Sequence, residues 1–216
     1  MDVRTALVRL GTVIALIVGA LGIGALSAGE AGAKPAAHYV VHVDPRLCPS
    51  PLCGGYWVSL ANRSRTRCHD GLHRRRCYVA SAWPASRAIH DGALVQGGIS
   101  VQSFPGLGNL GLLIATDVRN PLGAAASGSF FRLRDIGVRC IREPCFSIRA
   151  SRLNSRGTTM ASRLDLSQIE LAPEHEARLA LFGDGLFAAG RIVSTDDGGR
   201  VFRASRIYLR GSKTRA

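Results

Sequence analysis

Residues 63–77, RSRTRCHDGLHRRRC, hold the densest set of reactive side chains in the 216-residue chain. His69 and His73 stand four apart with Asp70 between them, and cysteines bound the segment at 68 and 77. On a helix that spacing would turn both imidazoles to one face, as a zinc site requires. Asp70-Gly71 is instead a turn signal, so the segment reads as a hairpin tip whose side chains splay apart. His69, Asp70 and His73 are therefore weak metal candidates. Arg67, Arg74, Arg75 and Arg76 suit another task, because clustered guanidiniums recognise phosphate and carboxylate groups. The segment reads as a polar, solvated hairpin clasped by its two cysteines, with those four arginines as its candidate anion-binding set.

Elsewhere the chemistry is thin. His42, in YVVHVD, aligns with Leu133 of FFRLRD, which predicts a hydrogen-bonded histidine on the core side of a strand. Asp44 and Asp135 recur in matching contexts, as do Asn62 and Asn154. An active site is seldom built twice in adjacent copies, so these four read as turn-capping residues. Carboxylates gather at Asp165, Glu170, Glu174, Glu176 and Asp184, but Glu174 and Glu176 are two apart and diverge on a helix. No nucleophile elbow, paired zinc histidines or phosphate-cradling glycine loop is present. No catalytic residue and no cofactor is expected.

The elements that position these residues come in a repeated order. Cys48 and Cys53 are matched by Cys140 and Cys145, each 92 residues on; Asn62 and Asn154, and Gly98 and Gly190, keep the same offset. Asp44 and Asp135 fall at 91, and Ala115 and Ala204 at 89. A tandem duplication accounts for the series and sorts the six cysteines. The second copy holds only Cys140 and Cys145, which pair if each copy folds as a unit. Cys48 then pairs with Cys53, and Cys68 is left for Cys77. Metal and redox readings compete, but C-x4-C is loose for a zinc knuckle and a redox pair wants C-x-x-C at a helix start.

Within each copy, period-two alternation marks the strands. HYVVHVD and SFFRLRD precede the cysteine pairs; GGYWVSLAN and FSIRASRLN follow them. CYVASAW has a weaker counterpart in TTMASRLDL. PEHEARLALFG carries helix signals in its proline, early glutamates and closing glycine, with only the shorter PASRAIHDG at that place in copy one. ALVQGGISVQ and GLLIATDVR close the first copy, LFAAGRIVS and RVFRASRIYLR the second. The expected fold is mainly β with one or two short helices: two tandem β-β-β-α-β-β repeats, as OB-like small barrels or as one merged sheet sandwich. The expected organisation is a signal peptide at 1–33, a first repeat at 38–119, a linker at 120–129, a second repeat at 130–210 and a tail at 211–216.

The signal peptide is read from two arginines in MDVRTALVR, a charge-free apolar run after them, and Ala31-Gly32-Ala33. Its removal leaves the formal charge of +13 unchanged. All basic residues but Lys34 and Lys213 are arginine, and they are scattered through both halves. That pattern fits genome composition better than a nucleic-acid interface.

CPSPLCGGYWVSLAN, followed by TRC, DG and CYVA, and GVRCIREPC with SRLN in the second half, resembles a bacterial family of exported, cysteine-containing two-repeat domains with no assigned function. The resemblance runs from about His38 to Arg210. It implies secretion and two linked halves, and it carries no catalytic residues over. The expected function is a secreted or cell-envelope, disulfide-stapled binding module without enzymatic activity. Its partner would be an anionic polymer, a cell-surface component or an extracellular protein. Nucleic acid is not expected, and membrane contact is expected only through the signal segment if uncleaved. The alternatives are an extracellular hydrolase with its site between the repeats, and an inhibitor of secreted proteases.

Overall fold

Alternation of apolar and polar side chains builds the first strands. In β1 (Ala37–Val43), Tyr39 and Val41 are buried and His42 is exposed; in β9 (Ser129–Asp135), Leu133 is buried between exposed Arg132 and Arg134. The computed structural model describes residues 36–84, 88–169 and 174–210, all within one unit, Pro35–Ala216. The predicted signal peptide, the 211–216 tail, Glu170 and residues 85–87 of the predicted short helix lie outside the described residues.

β1 pairs antiparallel with β2 (Tyr56–Leu60) on one side and with β7 (Ala93–Phe104) on the other. β7 turns back as β8 (Gly108–Leu122), and β5 (Cys77–Val79) pairs antiparallel with β2. Past Ala80, whose N–H donates to the Gly111 carbonyl at 2.8 Å, the chain continues as β6 (Ser81–Trp83), parallel to β8. The pairings β1–β2–β5/β6–β8–β7 thus return to β1. The second half follows the same circuit. β9 pairs with β10 (Ile148–Arg152) and β13 (Leu186–Ser194), and β13 pairs with β14 (Arg200–Arg210). β11 (Thr158–Ala161) is antiparallel to β10, and β12 (Arg163–Asp165) is parallel to β14. The two circuits join where β8 and β14 pair antiparallel, from Leu122 opposite Ile207 to Arg119 opposite Arg210, giving one sheet of twelve strands. β8 therefore continues through residues 120–122, the start of the expected linker. The two-residue strands β3 (Thr66–Arg67) and β4 (His73–Arg74) form a separate ribbon.

One helix, α1 (Glu174–Phe182), lies among the described residues, where glutamates early and Gly183 late predict it. Ala177 and Leu181 seat it on the core of the second half, with Leu133, Leu186 and Phe202. The first half has its own core of Tyr39, Val41, Val58, Val79, Val95 and Leu113. A third cluster lies at the seam: Ala61, Leu94, Leu153, Phe187, Ala189 and Tyr208. Neighbours along β7 and β13 point alternately into a half's core and into the seam. Both strands are thus buried on two faces, which accounts for the unbroken apolar runs ALV and LFAAG.

Two sequence expectations need correction. His42 does not face the core. Val41 opposes Val58 and Ala93 in the sheet, as Leu133 opposes Ala150 and Leu186, so Val41 fills the place of Leu133 and the offset slips only afterwards. The partner of Gly190 is likewise Gly97, not Gly98. Each follows a bulge and sits opposite an alanine, Ala115 or Ala204. A Cβ on Gly97 would lie 1.9 Å from the Ile114 carbonyl oxygen, and one on Gly190 would lie 2.2 Å from that of Arg203, whereas Gly98 faces open space.

All six cysteines are paired: Cys48–Cys53, Cys68–Cys77 and Cys140–Cys145. The first and third close the loops between β1 and β2 and between β9 and β10, and such short loops contribute about 2 kcal/mol each by restricting the unfolded chain. Cys68 and Cys77 are buried in the first core and tie the β3–β4 ribbon to β5.

Candidate anion-binding cleft

The seam is fixed by two asparagines in left-handed conformations, Asn62 (φ 60°) after β2 and Asn154 (φ 53°) after β10. Asparagine adopts this conformation more readily than other residues with a Cβ. The Asn62 amide donates to the carbonyls of Phe130 (2.7 Å) and Leu153 (3.1 Å), and its oxygen accepts the Phe130 N–H. Asn154 donates to His38 (2.7 Å) and Ala61 (2.9 Å) and accepts the His38 N–H. Each asparagine therefore pins the first strand of the other half.

Above this seam opens a cleft of about 650 Å³, floored by Val40, Ala61, Phe130 and Tyr208 and bordered by Arg63, Arg152 and Arg206. Arg63 donates to the Asn154 carbonyl at 2.9 Å, and Arg206 donates to the carbonyls of Gly123 and Ala124. Among the described residues none of the three pairs with a carboxylate, so backbone carbonyls orient the charge of Arg63 and Arg206 without neutralising it. A neighbouring depression of about 680 Å³ extends the basic surface from Arg63 to Arg65 and Arg75. The arginines of the β8–β14 junction differ. Arg119 is bonded to Asp117 at 2.7 Å, and Arg210 to Asp117 at 3.0 Å and Asp184 at 2.8 Å.

The cleft also holds the His42–Asp91 pair, Nδ1 to Oδ1 at 3.2 Å, with the same carboxylate accepting the Val43 N–H. Tyr208 is buried, and its hydroxyl makes no hydrogen bond of ordinary geometry among the described residues. Burial pushes its phenol up to about 12 against the opposing field of Arg206, so the hydroxyl stays protonated.

The hairpin singled out in the sequence is a β3–β4 ribbon, with a turn in which the Gly71 N–H bonds the Cys68 carbonyl. Its four candidate arginines divide. Arg74 pairs with Asp70 at 2.6 Å, Arg76 lies over the Trp57 ring at 4.9 Å, Arg75 lines the depression and Arg67 is exposed. His69, Asp70 and His73 do not converge. The Asp70 carboxylate is engaged by Arg74 and the Leu72 N–H, and no group of three metal-ligating side chains occurs among the described residues. Asp44 and Asp135 each accept a backbone N–H two residues on, from Arg46 and Gly137, as turn-capping carboxylates do. Arg46 binds Asp44 through two nitrogens and holds its carboxyl down at about 2, with Trp57 adding a bond. Of the other carboxylates, Asp165 holds Arg203. Sequence reasoning missed Arg63, Arg152, Arg206 and Tyr208. The available signal was position: Arg63 directly follows Asn62, and Arg152 stands two before Asn154.

Residues 37–214 match the family described as a domain of unknown function, DUF6748. No curated protein and no solved structure matches the chain.

Proposed function

The chain belongs to the DUF6748 family, a domain of unknown function, and from that premise and the geometry of the cleft we propose an exported, non-enzymatic binding module that holds an anionic ligand between its two halves. The observation that carries this is the set of three guanidiniums, Arg63, Arg152 and Arg206, around one concavity, without a carboxylate partner among the described residues. Arg63 and Arg206, held by backbone carbonyls, keep further N–H donors for phosphate, sulfate or carboxylate groups.

Export is supported by the apolar leader pattern of residues 1–33 and by disulfide pairing, which is compatible with an extracellular protein. The duplication, with halves at 38–119 and 130–210, is supported by two identical pairing circuits. In each circuit the third strand is split between the second strand and a parallel last strand, which fits an OB-like barrel. A shared architecture does not itself assign a ligand.

Heparin-resin chromatography tests the reading. Arg152→Ala with Arg206→Ala should elute at clearly lower salt than the parent, because each lost phosphate or sulfate contact removes part of the salt dependence. Unchanged elution would sink the cleft, and a fall only with Arg74, Arg75 and Arg76 all changed to Ala would move the site to the ribbon.

His42–Asp91 favours a second reading, a hydrolase using the same cleft, whose lining includes Ser59, Ser64 and Ser129. Among the described residues no serine hydroxyl bonds His42, although catalytic bonds often tighten only with substrate. Ester turnover by the parent that His42→Ala abolishes would establish this reading in place of the first.

A further inference from the structure

The turn from β7 to β8 reads Phe104-Pro105-Gly106-Leu107-Gly108, closed by the Leu107 N–H on the Phe104 carbonyl at 3.1 Å. Leu107 is 48% exposed and Val101, on the arm behind it, 49%; Phe104 and Leu110 are half-buried. The turn at the same place in the second half, between β13 and β14, is Thr195-Asp196-Asp197-Gly198-Gly199 and wholly polar. A tight turn needs glycine, as both have, but it does not need apolar side chains.

The β3–β4 ribbon lies at this same end. β6 runs parallel to β8, and Ala80 bonds Gly111, so the chain preceding Cys77 is directed toward the turn. His69 packs there: a Cβ on Gly111 would lie 3.3 Å from its Nδ1. The ribbon adds Leu72, 56% exposed, and the arginines 67, 74, 75 and 76. Asp70 is the only carboxylate in residues 63–77, and Arg74 already matches it. One end of the first half therefore presents an apolar tip beside a basic flank.

That layering fits a bilayer surface. The boundary between headgroups and acyl chains takes exposed leucine and phenylalanine, while anionic headgroups take arginine. A soluble polyanion offers no apolar layer. We propose that this end docks on an anionic lipid surface, with Leu107 and its neighbours at headgroup depth and Arg67 and Arg75 on the headgroups. The proposal uses none of Arg63, Arg152 and Arg206, although Arg75 also lines the depression beside the cleft.

The test places a tryptophan at the tip of the full chain, Leu107→Trp, with Asp196→Trp on the polar turn as control, against the background of the native Trp57 and Trp83. On vesicles of phosphatidylcholine with a quarter phosphatidylglycerol, the tip variant should shift to the blue and be quenched by brominated acyl chains. The control should respond no more than the parent. Adding Arg67→Ala and Arg75→Ala should weaken the tip's response about 30-fold in lipid concentration. Quenching equal to the control overturns the proposal, since anchoring by residues 1–33 alone would not single out position 107. A tip response unchanged on pure phosphatidylcholine, or indifferent to the two arginines, overturns it as well. So does heparin binding through Arg67 and Arg75 with no tip response to vesicles, which would make this end a polyanion site. Unaltered thermal melts confirm that the exposed substitutions leave the fold intact.

Discussion

Asn62 and Asn154 hold each other's half in place: the amide of each reaches across the seam to the strand that opens the other half. The bonds run to backbone groups, so they depend little on neighbouring side chains, and the left-handed turn at each asparagine aims the amide.

Replacing either asparagine by alanine removes the cross-seam bonds and puts a Cβ-bearing residue without a compensating amide at positive φ. The expected loss is about 2–3 kcal/mol for each, read by urea denaturation. Asn62→Gly keeps the turn at no steric cost and should lose distinctly less than Asn62→Ala. Equal losses would mean that the bonds, not the turn, carry the whole effect.

Gly97→Ala and Gly190→Ala drive a methyl group into a backbone carbonyl of the paired strand. Each should destabilise by about 3 kcal/mol or fail to fold, while Gly98→Ala, with open space at its Cβ, should change stability by under about 1 kcal/mol. Thermal melts of the three variants decide it.

His38 stacks near Phe187 at the seam, and its pKa is lowered to about 4, first by burial and then by the fields of Arg119 and Arg132. The unfolded chain takes up this proton near pH 6.5 and the folded chain only near 4. Stability should therefore fall as pH drops through that window, by about 2 kcal/mol after allowing for partial solvent screening. His38→Gln should flatten the curve between pH 6.5 and 4; an unchanged slope would assign it to other groups.

The Cys68–Cys77 bond closes the longest of the three bridged loops and packs in the first core. Cys68→Ser with Cys77→Ser should cost about 3 kcal/mol or more, against about 2 kcal/mol for the same change at Cys140 and Cys145. Denaturant midpoints of the two double variants would show the order, and the reverse order would contradict the packing argument.

Much of the sheet was legible because its strands alternate. HYVVHVD and SFFRLRD became β1 and β9, and the glutamate-led segment became α1. The cysteine partners followed from reading the chain as a repeat whose second copy holds only Cys140 and Cys145. His42 was misplaced by a single-residue slip, which in a strand exchanges the two faces. Of the cleft, the sequence signalled no more than the places of Arg63 and Arg152 beside the recurring asparagines. Arg63, Arg152 and Arg206 lie far apart in the chain and meet only because the seam folds β2, β10 and β14 together, a relation no local pattern encodes.

A sheet normally ends in strands whose outer N–H and C=O groups are open to whatever chain drifts by. Here the terminal strands β5 and β11 each pass their outer pairing on, through β6 and β12, to β8 and β14. The large sheet thus offers passing polypeptides few docking rows, which is a safeguard against clumping.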